Sequence, residues 1–319
     1  MTAVRIRTYK GQDFDIVLPL WNRALPHDPV TREQLIRKLL MDPDFTEEGF
    51  LLCEDGGEII GFVNAVCRVL PAIPGQDDAD TGFVTVLAVS PGRDEYEVGG
   101  ILLDAAEKYL SGKGKTCVTT AYPPQYFTQG VEKDAHPGLV RAFLDRGYTA
   151  VPSAAKELDL TAYTEHPSVA DRRARLAAAG IEVMPLCDEY VSAILDPAAG
   201  FSRPSWSVEF RSRLQVNMDF DSMRIAVLHR PDGDRVVGAC IFGDPYSDEC
   251  RFGPFGVSDE MQGMGIGSVL LAEVLGEMKR RGLARAWMQW TSESGPAHTV
   301  YSRAGFRVVK RYLTFTKNL

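Results

Sequence analysis

The sequence has no excess of basic residues, no Cys-x-x-Cys pair, no histidine cluster and no apolar run long enough to cross a membrane. Each absence removes a class of function. Lys and Arg number 35 against 43 Asp and Glu, a net charge of −8. A general nucleic-acid binder needs a basic face to displace counterions, so that class falls away, while a cationic or amine-bearing partner is mildly favoured. A spanning helix needs roughly 18 uninterrupted apolar residues, and none is present. Met1 to Arg7 lacks the apolar core of a signal peptide, so a cytoplasmic protein with no membrane partner is expected. The cysteines Cys53, Cys67, Cys117, Cys187, Cys240 and Cys250 are scattered, mostly in apolar runs such as Asn64-Ala65-Val66-Cys67. They read as buried free thiols, and neither a metal site nor a disulfide frame is expected.

What is present suits two domains of ordinary size: 319 residues, 45% of them hydrophobic. The chain also reads as one plan used twice. Val84–Pro91 and Phe252–Ser258 are strand-like. Each is followed by a polar loop and an amphipathic helix containing Leu102-Leu103 or Leu270-Leu271. Each helix ends in a basic or glycine-containing turn, Gly112-Lys113-Gly114 or Arg280-Arg281-Gly282. Each turn leads to a β-rich run, Thr116–Thr120 or Ala286–Trp290, and then to a short helix closed by Gly147-Tyr148 or Gly305-Phe306. Upstream, turn signals at Glu54-Asp55-Gly56-Gly57 and Pro231-Asp232-Gly233 predict a hairpin in each half. Asp13–Asn22 and Thr31–Leu40 have helical spacing. Pro167–Ala179, ended by Gly180, predicts a linker helix. The expected division is 1–162, a linker at 163–180, and 181–319.

The feature richest in chemistry is Gln262-Gly263-Met264-Gly265-Ile266-Gly267, with Ser268 next, between a strand and a helix. Glycines there let backbone approach a ligand, and successive N–H groups at a helix mouth face an anion such as a pyrophosphate. A Walker A loop would need Gly-Lys-Ser/Thr, which does not follow. A dinucleotide fingerprint would need its glycines directly after the first strand and an acidic residue about 20 residues on. An acyl-coenzyme A loop remains. The strand before it holds Gly253, Pro254 and Gly256, poor ladder formers that predict a bulged or splayed edge able to pair with an extended ligand.

With those residues in view, the segment resembles motif A of the Gcn5-related N-acetyltransferase (GNAT) superfamily, Arg/Gln-x-x-Gly-x-Gly/Ala, through Gln262, Gly265 and Gly267. Tyr301-x-x-x-Gly305-Phe306 is similar to the family's motif B. The resemblance covers about 181–319 and extends in weaker form to the first half, as in tandem GNAT proteins. It implies an α/β fold of two tandem GNAT-like domains, each a mixed, partly splayed β-sheet flanked by helices. It implies acetyl-CoA as acyl donor, without a metal, held by Phe255, Gly256, Val257 and residues Gln262, Gly263, Met264, Gly265, Ile266, Gly267 and Ser268. Ser294 stands where many members carry an asparagine against the cofactor. It further implies direct attack of an amine on the thioester, with Tyr301 as general acid for the departing thiolate; the other reading of Tyr301 is a structural ring. Glu249, ahead of Asp248 as a choice of base, Gln289 on the fifth-strand equivalent Ala286–Trp290, where core packing is the other reading, and Trp206 with Glu209 in the segment Cys187–Asn217 are candidates for the acceptor side. A small amine is the expected acceptor; solvated helix faces are the alternative reading of the carboxylates. In the first half Asp94, Glu97 and Gly99 fall at Gln262, Gly265 and Gly267, and Phe143 falls at Tyr301, so that half is expected to be degenerate. The competing function is a non-catalytic CoA-binding sensor or interaction protein on an inherited fold.

Overall fold

The computed structural model describes residues 4–73, 75–201, 203–244 and 248–319. The strands, in chain order, are β1 (Arg5–Thr8), β2 (Phe50–Asp55), β3 (Glu58–Cys67), β4 (Thr81–Val89), β5 (Cys117–Thr119), β6 (Val131–Glu132), β7 (Thr149–Asp159), β8 (Ile181–Pro185), β9 (Met223–Leu228), β10 (Arg235–Phe242), β11 (Phe252–Val257), β12 (Arg285–Thr291) and β13 (Arg307–Asn318). The helices are α1 (Phe14–Ala24), α2 (Arg32–Leu35, continued by a π-helical turn to Leu40), α3 (Glu95–Gly112), α4 (Pro137–Asp145), α5 (Ser168–Ala178), α6 (Val191–Ile194), α7 (Pro204–Val216), α8 (Ile266–Arg280) and α9 (Gly295–Ala304).

The chain forms two compact units. One holds 4–71, 76–153 and 310–319; the other holds 72–73, 75 and 154–309, within the described residues. In the first unit β1, β2, β3 and β4 pair antiparallel in that order. The short β5 pairs parallel with the start of β4, Thr81 to Phe83, and antiparallel with the end of β13. Alternation along the strands sorts the core. Leu51 and Cys53 enter the layer under α3 and α4, whereas Phe50 and Leu52 enter the layer under α1 and α2. The β2–β3 turn works because Gly56 and Gly57 adopt φ of +60° and +91°, the twist a tight hairpin requires.

The second unit has an antiparallel sheet in the order β11-β10-β9-β8, and a separate ladder between β12 and residues 154–159 of β7. Its central strands are apolar throughout because both faces are covered. Cys240 and Phe242 face the core under α8 and α9, while Ala239 and Ile241 face α6 and α7. Helix α5 packs against α8 in a third apolar cluster through Val169 and Leu176. It ends at Gly180, whose φ of +72° suits a helix C-terminus.

Candidate active site

The site follows from what β11 cannot do. Its register with β10 runs Gly238–Val257, Ala239–Gly256 and Cys240–Phe255, then slips before Phe242–Phe252. The slip falls at Gly253 and Pro254, where proline supplies no N–H to the ladder. On its other side β11 meets β12 only at its foot, through an isolated parallel bridge between Arg251 and Trp287. Beyond that bridge the two strands diverge, β12 pairing with β7 instead. The outer edge of β11 from Phe252 to Val257 therefore has no partner strand among the described residues. Such an edge is a template for an extended ligand carrying amide groups.

Above this edge stands the mouth of α8. Gly263 and Gly265 take φ of +84° and +94°, a region costing a residue with Cβ roughly 1–2 kcal/mol. The amides of residues 263 to 267 find no hydrogen-bond acceptor among the described residues, whereas Ser268 and Val269 already bond to the Gly265 carbonyl. Five consecutive free N–H groups at the positive end of a 15-residue helix form an anion nest. Gln262 turns away from it, donating from Nε2 to Asp259 at 2.7 Å. Gln262, Gly263 and Met264 are exposed, Ile266 is buried, and Gly265, Gly267 and Ser268 are half-buried. Gly267 lets the first turn of α8 rest on Phe255, whose ring would lie 3.2 Å from an added Cβ.

The sequence reading missed Arg172. Its side chain runs from α5 across Gly265, with Cδ 3.0 Å from where a Cβ would stand. It lines a small cavity with His166, Ser268 and Arg303. Neither guanidinium has an ion-pair or hydrogen-bond partner among the described residues, although most arginines of this acidic chain are paired. Nothing in the local sequence marks Arg172, because its relation to Gly265 depends on how α5 packs on α8.

Tyr301, on α9, is 6% exposed, and its ring packs against Phe252, Phe255 and Phe306 at centroid distances of 5.7–5.9 Å. Its hydroxyl has no hydrogen-bond partner among the described residues. Burial, reinforced by the Cys240 thiol, pushes the phenol well above its ordinary range, so it is protonated at neutral pH. A protonated, unbonded phenol beside the open strand can donate a proton; the same contacts also make it part of the core. A second group that the sequence reading missed is Lys156 on β7, buried beside Tyr301 and His298. Its signal is faint: in Ala154-Ala155-Lys156-Glu157-Leu158, alternation puts the lysine on the inward face with Leu158.

The acceptor candidates are divided. Trp206 lies directly over Gly256, its ring 2.4 Å from an added Cβ, so α7 reaches the backbone of β11 only because residue 256 is glycine. Glu209, one turn further along α7, faces Arg213 at 3.8 Å. Gln289 is buried on β12. Ser294 caps the start of α9 as an exposed residue without a side-chain cap bond. Glu249 is exposed in the turn before β11 and has no ion pair among the described residues. It lines a cavity of about 330 Å³ with Arg213, Asn217, Asp219 and Arg281. Asp248 is committed elsewhere, accepting from Trp287 Nε1 at 2.9 Å and from Arg285.

The first unit keeps the open strand, β5 pairing with β4 only over Thr81–Phe83, but closes the helix mouth above it. Asp94 Oδ1 accepts from the amides of Tyr96 and Glu97 and so caps α3 with its own carboxylate. Glu95 bonds His136 at 2.7 Å and the Gly138 amide. Phe143 is fully buried, stacked on Phe315 at 4.3 Å. The cavity lined by Val84, Thr85, Thr120 and Tyr312 measures about 30 Å³, room for one or two waters.

An open sheet, a diverging strand pair and an amide nest at a helix mouth form a site accessible to an extended, anion-bearing ligand. Comparison with known proteins names the family these residues match. Residues 193–306 match the family model described as the acetyltransferase (GNAT) family. A mycothiol acetyltransferase of Amycolatopsis mediterranei is 32% identical over 117 residues, which are 35% of this chain and 38% of the relative. The chain thus matches well under half of that protein's length. A fungal GCN5-related glucosamine N-acetyltransferase region, part of a multi-domain GH3 β-N-acetylglucosaminidase, has a TM-score of 0.79 at 20% identity, covering 99% of this chain and 38% of that one. A tandem GNAT protein from the clavulanic acid biosynthesis pathway has a TM-score of 0.60 at 18% identity, covering 99% and 98%. Residues 193–306 thus match the GNAT family, and the chain has the fold of tandem GNAT proteins, two GNAT-like α/β domains. No helix among the described residues is long and apolar enough to cross a membrane.

Proposed function

We propose that the protein transfers an acetyl group from acetyl-CoA to the primary amine of a small molecule, at one site in the second unit. The observation that carries this reading is the run of acceptor-free amides at residues 263 to 267 beside the unpaired edge of β11. The nest suits the pyrophosphate, with Arg172 as a countercharge, and the β11 edge suits the pantetheine amides. The 32% identical relative, a mycothiol acetyltransferase, supports acetyl as the transferred group.

In this mechanism the amine nitrogen attacks the acyl carbon held at β11. Holding two reactants in line supplies much of the acceleration. Backbone N–H groups of β11 stabilise the developing oxyanion. As the C–S bond breaks, Tyr301 passes its phenolic proton to the thiolate. The amine sheds its own proton to water, with Glu249 the proposed acceptor at the end of that path. If Glu249→Gln keeps the wild-type rate and pH profile, bulk water takes the proton unaided. Trp206 supplies an apolar wall at Gly256, with Glu209 and Gln289 as polar neighbours of the acceptor.

The deciding experiment incubates purified protein with acetyl-CoA and a panel of small amines and follows thiol release. Turnover with a small amine is expected, weakened by Trp206→Ala and Glu209→Gln while acetyl-CoA binding stays intact. Binding without turnover across amines and lysine-bearing peptides would assign the chain to the sensor class instead. Turnover only with a peptide or protein would overturn the small-amine reading.

A further inference from the structure

Lys156 is a cation in the wrong place for a merely structural lysine. It is 1% exposed and stands opposite Met288 in the β7–β12 ladder, on the face that carries Leu158 into the core. Burying an ammonium without a counter-ion is costly, and an apolar side chain of similar length would fill the space at lower cost. No carboxylate lies within ion-pair distance among the described residues. Among the described residues its side-chain nitrogen meets two side chains instead, both on α9. His298 Nδ1 lies 2.7 Å away, and the ring of Tyr301 has its centroid at 5.6 Å. These two side chains are three residues apart on one helix face, so a single turn of α9 presents both to Lys156. Glu293, in the loop before α9, acts on it only at longer range.

We infer that Lys156 is a positioning residue for the acetyl transfer, anchored by His298 so that its charge favours the phenolate formed when Tyr301 gives up its proton. The inference rests on the proposed role of Tyr301 as general acid. In that step the O–H bond of Tyr301 breaks and an S–H bond forms on the departing thiolate. The ring then carries a full negative charge, which solvent water later neutralises by returning a proton. A cation facing a neutral ring gains little, and the same cation facing a phenolate gains far more. The interaction is therefore stronger after proton transfer than before it, the condition for accelerating the step. Burial also draws the Lys156 ammonium below the usual lysine range, with Glu293 opposing. His298 and Tyr301 from α9 and the apolar Met288 from β12 stand against it. Loss of the charge on raising the pH therefore comes earlier than for a surface lysine, and activity declines with it.

The test compares Lys156→Met, Lys156→Arg, Tyr301→Phe and the Lys156→Met/Tyr301→Phe double variant, reading kcat against pH, acetyl-CoA affinity by calorimetry, and thermal unfolding. Lys156→Met is expected to lower kcat about 10-fold, to leave acetyl-CoA affinity and Tm undiminished, and to abolish the alkaline fall in kcat. Lys156→Arg, with a permanent charge, restores most of kcat and moves that fall to higher pH. In the Tyr301→Phe background Lys156→Met costs nothing further. Wild-type kcat and pH profile in Lys156→Met, with Tyr301→Phe impaired, would overturn this inference and leave the general acid standing. An unimpaired Tyr301→Phe overturns both. A lowered Tm with no rescue by arginine makes Lys156 a structural residue only.

Discussion

At Gly256 one missing methyl group decides whether two parts of the site can meet. A Cβ there would stand 2.4 Å from the Trp206 ring and 2.5 Å from the Phe201 carbonyl oxygen. Neither can yield without moving α7 or its leading turn. Gly256→Ala is therefore expected to destabilise the second unit by about 1–3 kcal/mol and to raise KM for the acceptor more than for acetyl-CoA; unfolding and steady-state kinetics check this. Tyr301 poses the complementary question, because its ring is core and its hydroxyl is free. Tyr301→Phe keeps the packing against Phe252, Phe255 and Phe306. Turnover is expected to fall roughly 10²–10⁴-fold with acetyl-CoA affinity unchanged, the range for a lost general acid. A rate within about threefold of wild type would hand the proton to solvent.

Helix α8 carries the nest at one end and a buried carboxylate near the other. Glu277 is 7% exposed and accepts from Arg280 and Arg281 at 2.6–2.9 Å, with Arg224 at 3.4 Å. The Arg280 bonds, then those of Arg281, outweigh desolvation and hold its carboxyl down at about 2, against an ordinary 4.5. A depressed carboxylate contributes stability that is complete above the unfolded value and is lost as pH falls through the folded one. The second unit should therefore lose about 2 kcal/mol between pH 5 and pH 2. Glu277→Gln should flatten that stretch of the pH–stability curve, which chemical denaturation measures. The elements themselves were legible in the sequence. Turn glycines gave both hairpins, Gly180 gave the end of α5, and the glycine-rich loop gave the mouth of α8. The divergence of β11 and β12 followed from Gly253, Pro254 and Gly256, residues that pair poorly. Arg172 and Lys156 were not legible, because each matters through packing between elements distant in sequence. The course of β13 was hidden for the same reason: nothing in Arg307–Asn318 says that its last nine residues belong with the first unit.

Across the whole molecule, the same plan appears twice with different endings at the helix mouth. In the second unit, five amides at residues 263 to 267 are left for an anion. In the first, Asp94 takes the amides of Tyr96 and Glu97, Glu95 ties α3 to α4, and Phe143 stands where the second unit has Tyr301. A carboxylate in the nest repels a pyrophosphate and occupies the amides that would hold it. The first unit is proposed to have kept the fold and lost the cofactor site. Isothermal titration of the full chain with acetyl-CoA tests this most directly, using wild type, Gly265→Val and Asp94→Ala. One site per chain is expected, abolished by Gly265→Val, which puts a branched side chain at φ of +94° in the nest, and unchanged by Asp94→Ala. Two equivalent sites, or undiminished affinity in Gly265→Val, would contradict the account.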